Sequence, residues 1–151
     1  MPALPKKKLV LGIGNLLMND EGVGIHIVSR LQKEGFQDAD LLDGGTGGFH
    51  LLGIIQSYYT VIIIDASLDQ YPPGTIRILH PKYSSDFPRQ LSAHEIGLKD
   101  LIDAANILED MPRLYLVAIS VKEFQEMGMN LSTEVENAIP AAIQCIKQLI
   151  C

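Results

Sequence analysis

Hydrophobic positions along the chain fall into two kinds of run, and their alternation predicts the architecture. Lys8 to Gly14 (KLVLGIG) is a short continuous apolar run ending in glycine, the pattern of a strand buried on both faces. From Gly22 to Lys33, Val23, Ile27, Val28 and Leu31 recur at helical spacing, and Gly35 follows as a natural C-cap. Ala39 to Asp43 reads as a second strand, followed by the glycine loop Gly44 to Gly48 and a helical stretch near Phe49 to Ser57. The run ending at Asp65 (YYTVIIID) is rich in β-branched and aromatic residues and predicts a third strand that Asp65 ends. Strand, helix, strand, helix, strand is the order of a parallel sheet with right-handed crossovers.

The second half is more varied. Pro72, Pro73 and Gly74 predict a turn before Thr75 to His80 (TIRILH), whose alternation suits an edge strand, open to an antiparallel direction. Ser92 and Glu95 form a capping-box pattern that starts a helix running to about Asn106. Leu114 to Ser120 is a fifth strand. Thr133 and Glu136 offer another capping box, and Val135, Ile139, Ile143, Ile146 and Ile150 then repeat at three- and four-residue steps as an amphipathic terminal helix. Pro140 within it predicts a kink or the effective start. Neither repeats nor an interdomain linker interrupt the 151 residues, so a single domain spanning 1–151 is expected.

Composition narrows the function. Hydrophobic residues make up 47% and charged ones 20%, which excludes a chain held open by its own charge. The net charge is −6, and the only basic run, Lys6 to Lys8, sits near the start, so the remainder is more acidic still. That balance argues against nucleic acid and against an anionic membrane surface as partner. Lys6 to Lys8 followed by Leu9 to Met18 imitates a signal peptide. The run, however, contains Asn15, lacks a small-x-small cleavage site and meets Asp20 and Glu21 at once. No apolar stretch reaches the roughly 18 residues of a transmembrane helix. The two cysteines, Cys145 and Cys151, would lie on different helix faces roughly 9 Å apart, too far for a disulfide. Cys145 reads as a small core residue, and a reducing, cytoplasmic setting is expected.

Ten of the 13 glycines lie between Gly12 and Gly53, mainly after the first two strands, where open α/β sheets bind ligands. Acids crowd the same region: Asp20 and Glu21 after strand one, Asp43 ending strand two, Asp65 ending strand three, and Asp69 soon after. These five of the 18 acids suggest a cation site at the strand ends. His94, on the first turn of the helix starting near Ser92, could join Glu21 and Asp65. Two carboxylates and an imidazole suit a borderline divalent metal such as zinc or nickel and leave coordination positions open. Spacing alone leaves the blander alternative in place, in which the Asp residues cap turns and the His lies on a helix surface.

A dinucleotide site is the rival. Gly12-Ile13-Gly14 and Asp43 echo it, but position 17 is Leu17 where a third glycine belongs, and Asp20 and Glu21 would oppose phosphate at the helix start. His26 falls off the apolar stripe of the first helix and reads as solvent-exposed; His50 and His80 lack metal-like spacing. There is no G-x-S-x-G elbow, and neither cysteine has the setting of a catalytic thiol.

Four blocks of sequence, in order, carry a resemblance: Gly12 to Gly24 (GIGNLLMNDEGVG), Asp43-Gly44-Gly45-Thr46, Ile64-Asp65-Ala66, and Ser92 to Leu98 (SAHEIGL). Together they resemble the hydrogenase maturation endopeptidases over nearly the whole chain. The resemblance implies a three-layer α/β/α fold with a mixed, mostly parallel five-stranded sheet containing one antiparallel strand. It implies removal of a C-terminal extension from the large-subunit precursor of a nickel-iron hydrogenase after nickel insertion. Glu21, Asp65 and His94 match the family's metal-contacting residues, with nickel carried by the substrate and zinc or cadmium able to occupy the same place. Glu21, Asp43 and Asp65 are then the catalytic candidates, Asp43 as proton acceptor for an attacking water, and Gly44, Gly45 and Thr46 would lie against the peptide. A monomer is expected. Val121-Lys122-Glu123 replaces the Pro-Glu or Pro-Lys turn that many relatives have after the fifth strand. A non-proteolytic nickel-sensing chaperone or scaffold for hydrogenase assembly would need the same ligands.

Overall fold

The computed structural model describes residues 8–45, 51–80, 103, 107, 112–122 and 128–150. Five strands form one sheet: β1 (Lys8–Gly12), β2 (Asp40–Asp43), β3 (Thr60–Leu68), β4 (Ile76–Leu79) and β5 (Arg113–Val121), in the order β2-β1-β3-β5-β4. All neighbours are parallel except β4, which pairs antiparallel with β5 at the edge, so the alternation of Thr75 to His80 did mark the odd strand. Helix α1 (Val23–Glu34) links β1 to β2, α2 (Leu51–Gln56) precedes β3, and α3 (Thr133–Ile150) closes the described chain. Among the described residues no helix is long and apolar enough to cross a membrane.

The continuous apolar runs exist because the sheet is covered on both sides. Val10, Ile62, Ile64, Val117 and Ile119 face a core shared with Ile27 and Leu31 of α1 and Ile139, Ile143 and Ile146 of α3. Leu9, Leu11, Val61, Ile63 and Leu116 face Leu51 and Ile55 of α2. The result is a three-layer α/β/α sandwich in which both alternating sets of each central strand are buried. Gly35 ends α1 in a left-handed conformation, its N–H and that of Phe36 returning to Gln32 and Leu31.

Four expectations need correction or fall outside the described residues. Asp65 does not end its strand. β3 runs on to Leu68 because β5 stays in register with it as far as Leu68↔Val121. Pro140 does not mark the start of α3, which begins at Thr133. The capping box there is not closed by Glu136, whose carboxylate pairs with Arg30 of α1. The helix expected from Ser92 lies outside the described residues, as do His94, Thr46, His50 and Cys151; Asp103 and Ile107 are helical. Cys145 is half-buried and free.

Two contacts set how the loops sit on the sheet. A Cβ on Gly24 would stand 2.3 Å from the Ile64 carbonyl oxygen, and one on Gly12 would stand 2.5 Å from that of Gly24. Helix α1 therefore crosses β1 and β3 backbone to backbone. At the other anchor, Asp20 is buried and accepts from the N–H (2.6 Å) and the hydroxyl (2.8 Å) of Ser132, just before α3. Gly24→Ala gains about 1 kcal/mol of helix propensity but meets a backbone oxygen that cannot yield, so a net loss of about 2 kcal/mol is expected in urea unfolding. Asp20→Ala strands two donors and is expected to cost about 2 to 3 kcal/mol in the same experiment. A loss under about 0.5 kcal/mol for either would contradict the packing described.

Candidate active site

The site begins where β1 leaves the sheet. β1 pairs with β3 up to Gly12↔Ile64, and the Ile13 N–H still reaches the Ile64 carbonyl at 2.9 Å. Beyond that point β3 keeps only β5, so the flank of β3 beside Asp65 and Ala66 is vacated by β1. The order β2-β1-β3 also means that the sheet grows in opposite directions on the two sides of β1. This is the switch point at which open α/β sheets form their crevice.

The departing chain folds back over that opening. Gly14 takes φ 143°, and a Cβ there would lie 2.1 Å from the Glu21 carbonyl oxygen, so only glycine lets the Glu21 backbone approach. The 3-10 turn Asn19–Gly22 carries Glu21, half-buried, and packs against β3. Its position is held from a distance: the Gly128 N–H donates to the Leu17 carbonyl (2.6 Å), the Gly128 carbonyl accepts the Asn19 N–H (2.7 Å), and Asp20 grips Ser132. Nothing local in the sequence announces that brace, because its two sides are 112 residues apart.

Asp65 is fully buried, and one of its oxygens accepts the N–H of Ala66 at 2.8 Å. By strand alternation it shares the face of Val61 and Ile63, in register with Ala118 of β5. A carboxylate with no solvent access is costly to keep charged unless cations or donors face it. His94 lies outside the described residues. The structure thus brings the Glu21 turn to the β3 segment that holds Asp65, with the third expected ligand not described. Among the described residues no cluster of three or more His, Cys, Asp or Glu forms a metal site.

Asp43 is exposed at the carboxyl end of β2, beside Gly12 of β1. Its Oδ1 accepts the Gly45 N–H at 2.8 Å, while Gly44 donates to Gly12 (2.8 Å) and Gly14 to the Gly45 carbonyl (2.7 Å). This turn is stitched to the end of β1. The N–H groups of Gly44 and Gly45 are spent inside it, so donors offered to a peptide by this loop belong to Thr46 or later residues.

The acidic cluster is smaller than the strand-end tally suggests. Asp20 is committed to Ser132, and Asp69 accepts from Arg77 (3.0 Å), the Ser120 hydroxyl (3.0 Å) and the Tyr71 N–H (3.0 Å). Both acids are structural, which leaves Glu21, Asp43 and Asp65 for chemistry. His26 is not solvent-exposed as its place on the helical wheel implied. It is half-buried, its Nε2 is shielded without a hydrogen-bond partner among the described residues, and burial, only partly offset by Glu136, pushes its pKa below the ordinary value. His80 is structural too, its Nδ1 donating to the Leu114 carbonyl at 2.6 Å with its ring against Tyr115.

Comparison with known proteins bears on the family and the fold. Residues 25–149 match the family model described as hydrogenase maturation protease. The chain is 33% identical over 140 residues to the hydrogenase 2 maturation protease of Escherichia coli, covering 90% of this chain and 85% of that protein. It is also 33% identical over 143 residues to the hydrogenase expression/formation protein HupD of Rhizobium leguminosarum, covering 90% of this chain and 70% of the relative. The solved structure of the hydrogenase maturating endopeptidase HybD from E. coli superposes with a TM-score of 0.84 at 33% identity, covering 95% of this chain and 91% of that one. A sheet with this order and these matches over most of the chain have one reading: the protein belongs to the hydrogenase maturation protease family and is an endopeptidase.

Proposed function

We propose that this chain removes the C-terminal extension of the large-subunit precursor of a nickel-iron hydrogenase after nickel has been inserted, and that Glu21, Asp65 and His94 contact the nickel the precursor carries. The observation that supports this most is the buried carboxylate of Asp65 on the flank of β3 that β1 vacates, with the Glu21 turn folded against the same strand. Two carboxylates and an imidazole are a donor set suited to a borderline divalent ion, and zinc or cadmium could be held by the same atoms. An ion arriving with the substrate needs a few protein donors only, because the precursor's own ligands complete its shell.

Contact with the substrate's nickel would fix the scissile peptide relative to the strand ends, converting recognition into orientation. Asp43, exposed and anchored through one oxygen to Gly45, then accepts the proton of a water that attacks the scissile carbonyl. The carbon–nitrogen bond breaks as the departing amine takes up a proton. Glu21 and Asp65 serve by holding the ion, and Thr46 with the residues after it lies along the peptide. Cleavage is thereby restricted to precursor that already holds nickel.

The test follows the C-terminal mass of nickel-loaded and nickel-free precursor with time. Wild type is expected to cut only the loaded form, and Glu21→Gln, Asp65→Asn and His94→Ala each to lower kcat/KM at least about a hundredfold while the thermal transition of Glu21→Gln stays that of wild type. Full cleavage by all three variants would refute the ligand assignment. Binding of loaded precursor without any change in its mass would instead favour a nickel-sensing scaffold.

A further inference from the structure

A groove of about 390 Å³ runs between the exposed side of α1 and the carboxyl end of β2. Leu16, Ile25, Val28 and Met129 supply its apolar wall, and Lys33 and Asp43 its charges. The volume falls within the range of sites that bury a ligand or a few side chains of a peptide. It is continuous with the candidate active site at two points. Asp43 lines it, and Leu16 belongs to the same segment that leads from Gly14 into the Glu21 turn.

Three features indicate what would fill it. Its rim is apolar and open to solvent: Met129, which lines the groove, is 55% exposed, on the segment that pairs with Met18 through Gly128. Lys33 has no ion pair among the described residues, whereas Arg30 pairs with Glu136 and Lys147 with Glu34. In a chain of net charge −6, Lys33 is thus a cation beside an apolar trough that no carboxylate among the described residues pairs. His26, which also lines the groove, holds the shielded Nε2 that has no hydrogen-bond partner among the described residues, a vacancy that buried polar atoms seldom keep.

We propose that this groove is a substrate subsite that holds precursor polypeptide adjoining the scissile bond, apolar side chains lying against Leu16, Ile25 and Met129 and a carboxylate resting on Lys33. The assignment rests on the proteolytic reading above and adds the specificity surface to it. A peptide backbone in the trough also brings amide and carbonyl groups to the wall that carries His26. Because Asp43 lines the groove, polypeptide held there passes the proposed proton acceptor. Binding in the groove is then separable from contact with nickel, since it involves neither Glu21 nor Asp65.

The experiment combines cleavage kinetics on nickel-loaded precursor with fluorescence anisotropy of a synthetic peptide copying the precursor's C-terminal segment, free of metal. Lys33→Glu reverses the cation, Ser29→Trp fills the trough, and Lys147→Glu makes the same charge change on a different helix. Lys33→Glu and Ser29→Trp are expected to raise KM and peptide Kd at least about tenfold with kcat within about twofold, Lys147→Glu to change neither, and Glu21→Gln to bind peptide like wild type. Circular dichroism melts identify any variant that fails to fold, and Lys33→Glu on the helix surface keeps the test alive if Ser29→Trp does. Wild-type cleavage with KM and peptide binding unchanged in both groove variants overturns the subsite and leaves the protease reading standing. Peptide binding that depends on Lys33 and Ser29, without cleavage of loaded precursor, supports the subsite and removes the protease reading. Self-association of wild type that Ser29→Trp abolishes overturns it in favour of a second copy of the chain.

Discussion

Helix α1 meets the sheet without side chains between them at its first turn. Gly24 lies against the Ile64 carbonyl and Gly12 against Gly24, distances at which any Cβ would collide with backbone oxygen. With the helix start drawn down to β3, the chain between β1 and α1 has to turn within a few residues, and it does so through Gly14 and a four-residue 3-10 turn. Glu21 therefore lies on the sheet and not out in solvent. The same crowding ends the β1–β3 pairing at Gly12↔Ile64, and Asp65 is the first residue of β3 beyond it. One steric fact thus positions two carboxylates from distant parts of the sequence around one opening.

That arrangement is braced by the far end of the chain. Gly128 pairs with the Leu17–Asn19 segment, Asp20 holds Ser132, and Arg30 reaches Glu136, so α3 fastens the loop that carries Glu21 as well as burying its own apolar stripe. An acidic residue that looks catalytic from its neighbours is, in Asp20, a clamp. The distinction matters chemically: a carboxylate already accepting two hydrogen bonds is a poor candidate to coordinate an ion as well.

Much of the architecture was legible because it depends on local pattern. Buried strands such as Val61 to Ile64 and the stripe of Val135, Ile139, Ile143 and Ile146 announce themselves by period and by β-branching, and alternation in Thr75 to His80 marked the antiparallel edge. The opening between β1 and β3 was legible in outline from glycines and acids that follow the strands. What local pattern could not carry was partnership. Asp69 was grouped with the site because its partners, Arg77 and Ser120, come from β4 and β5. His26 reads as solvent-facing on the helical wheel because the residues that share its groove, among them Leu16 and Met129, come from outside its own helix. The length of β3 beyond Asp65 is set by its register with β5, which no property of β3 alone encodes.

The chain belongs to the hydrogenase maturation protease family, and the proposal that bears most weight is that Glu21 and Asp65 meet an ion that belongs to the substrate. Nickel K-edge X-ray absorption on loaded precursor, alone and then bound to the slow Glu21→Gln variant or to the doubly altered Glu21→Gln/Asp65→Asn protein, addresses that claim at the metal itself. Binding of the single variant is expected to add oxygen or nitrogen scattering to the nickel shell, and the Asp65 change to reduce it. A nickel spectrum identical in free precursor and in both complexes would contradict the account.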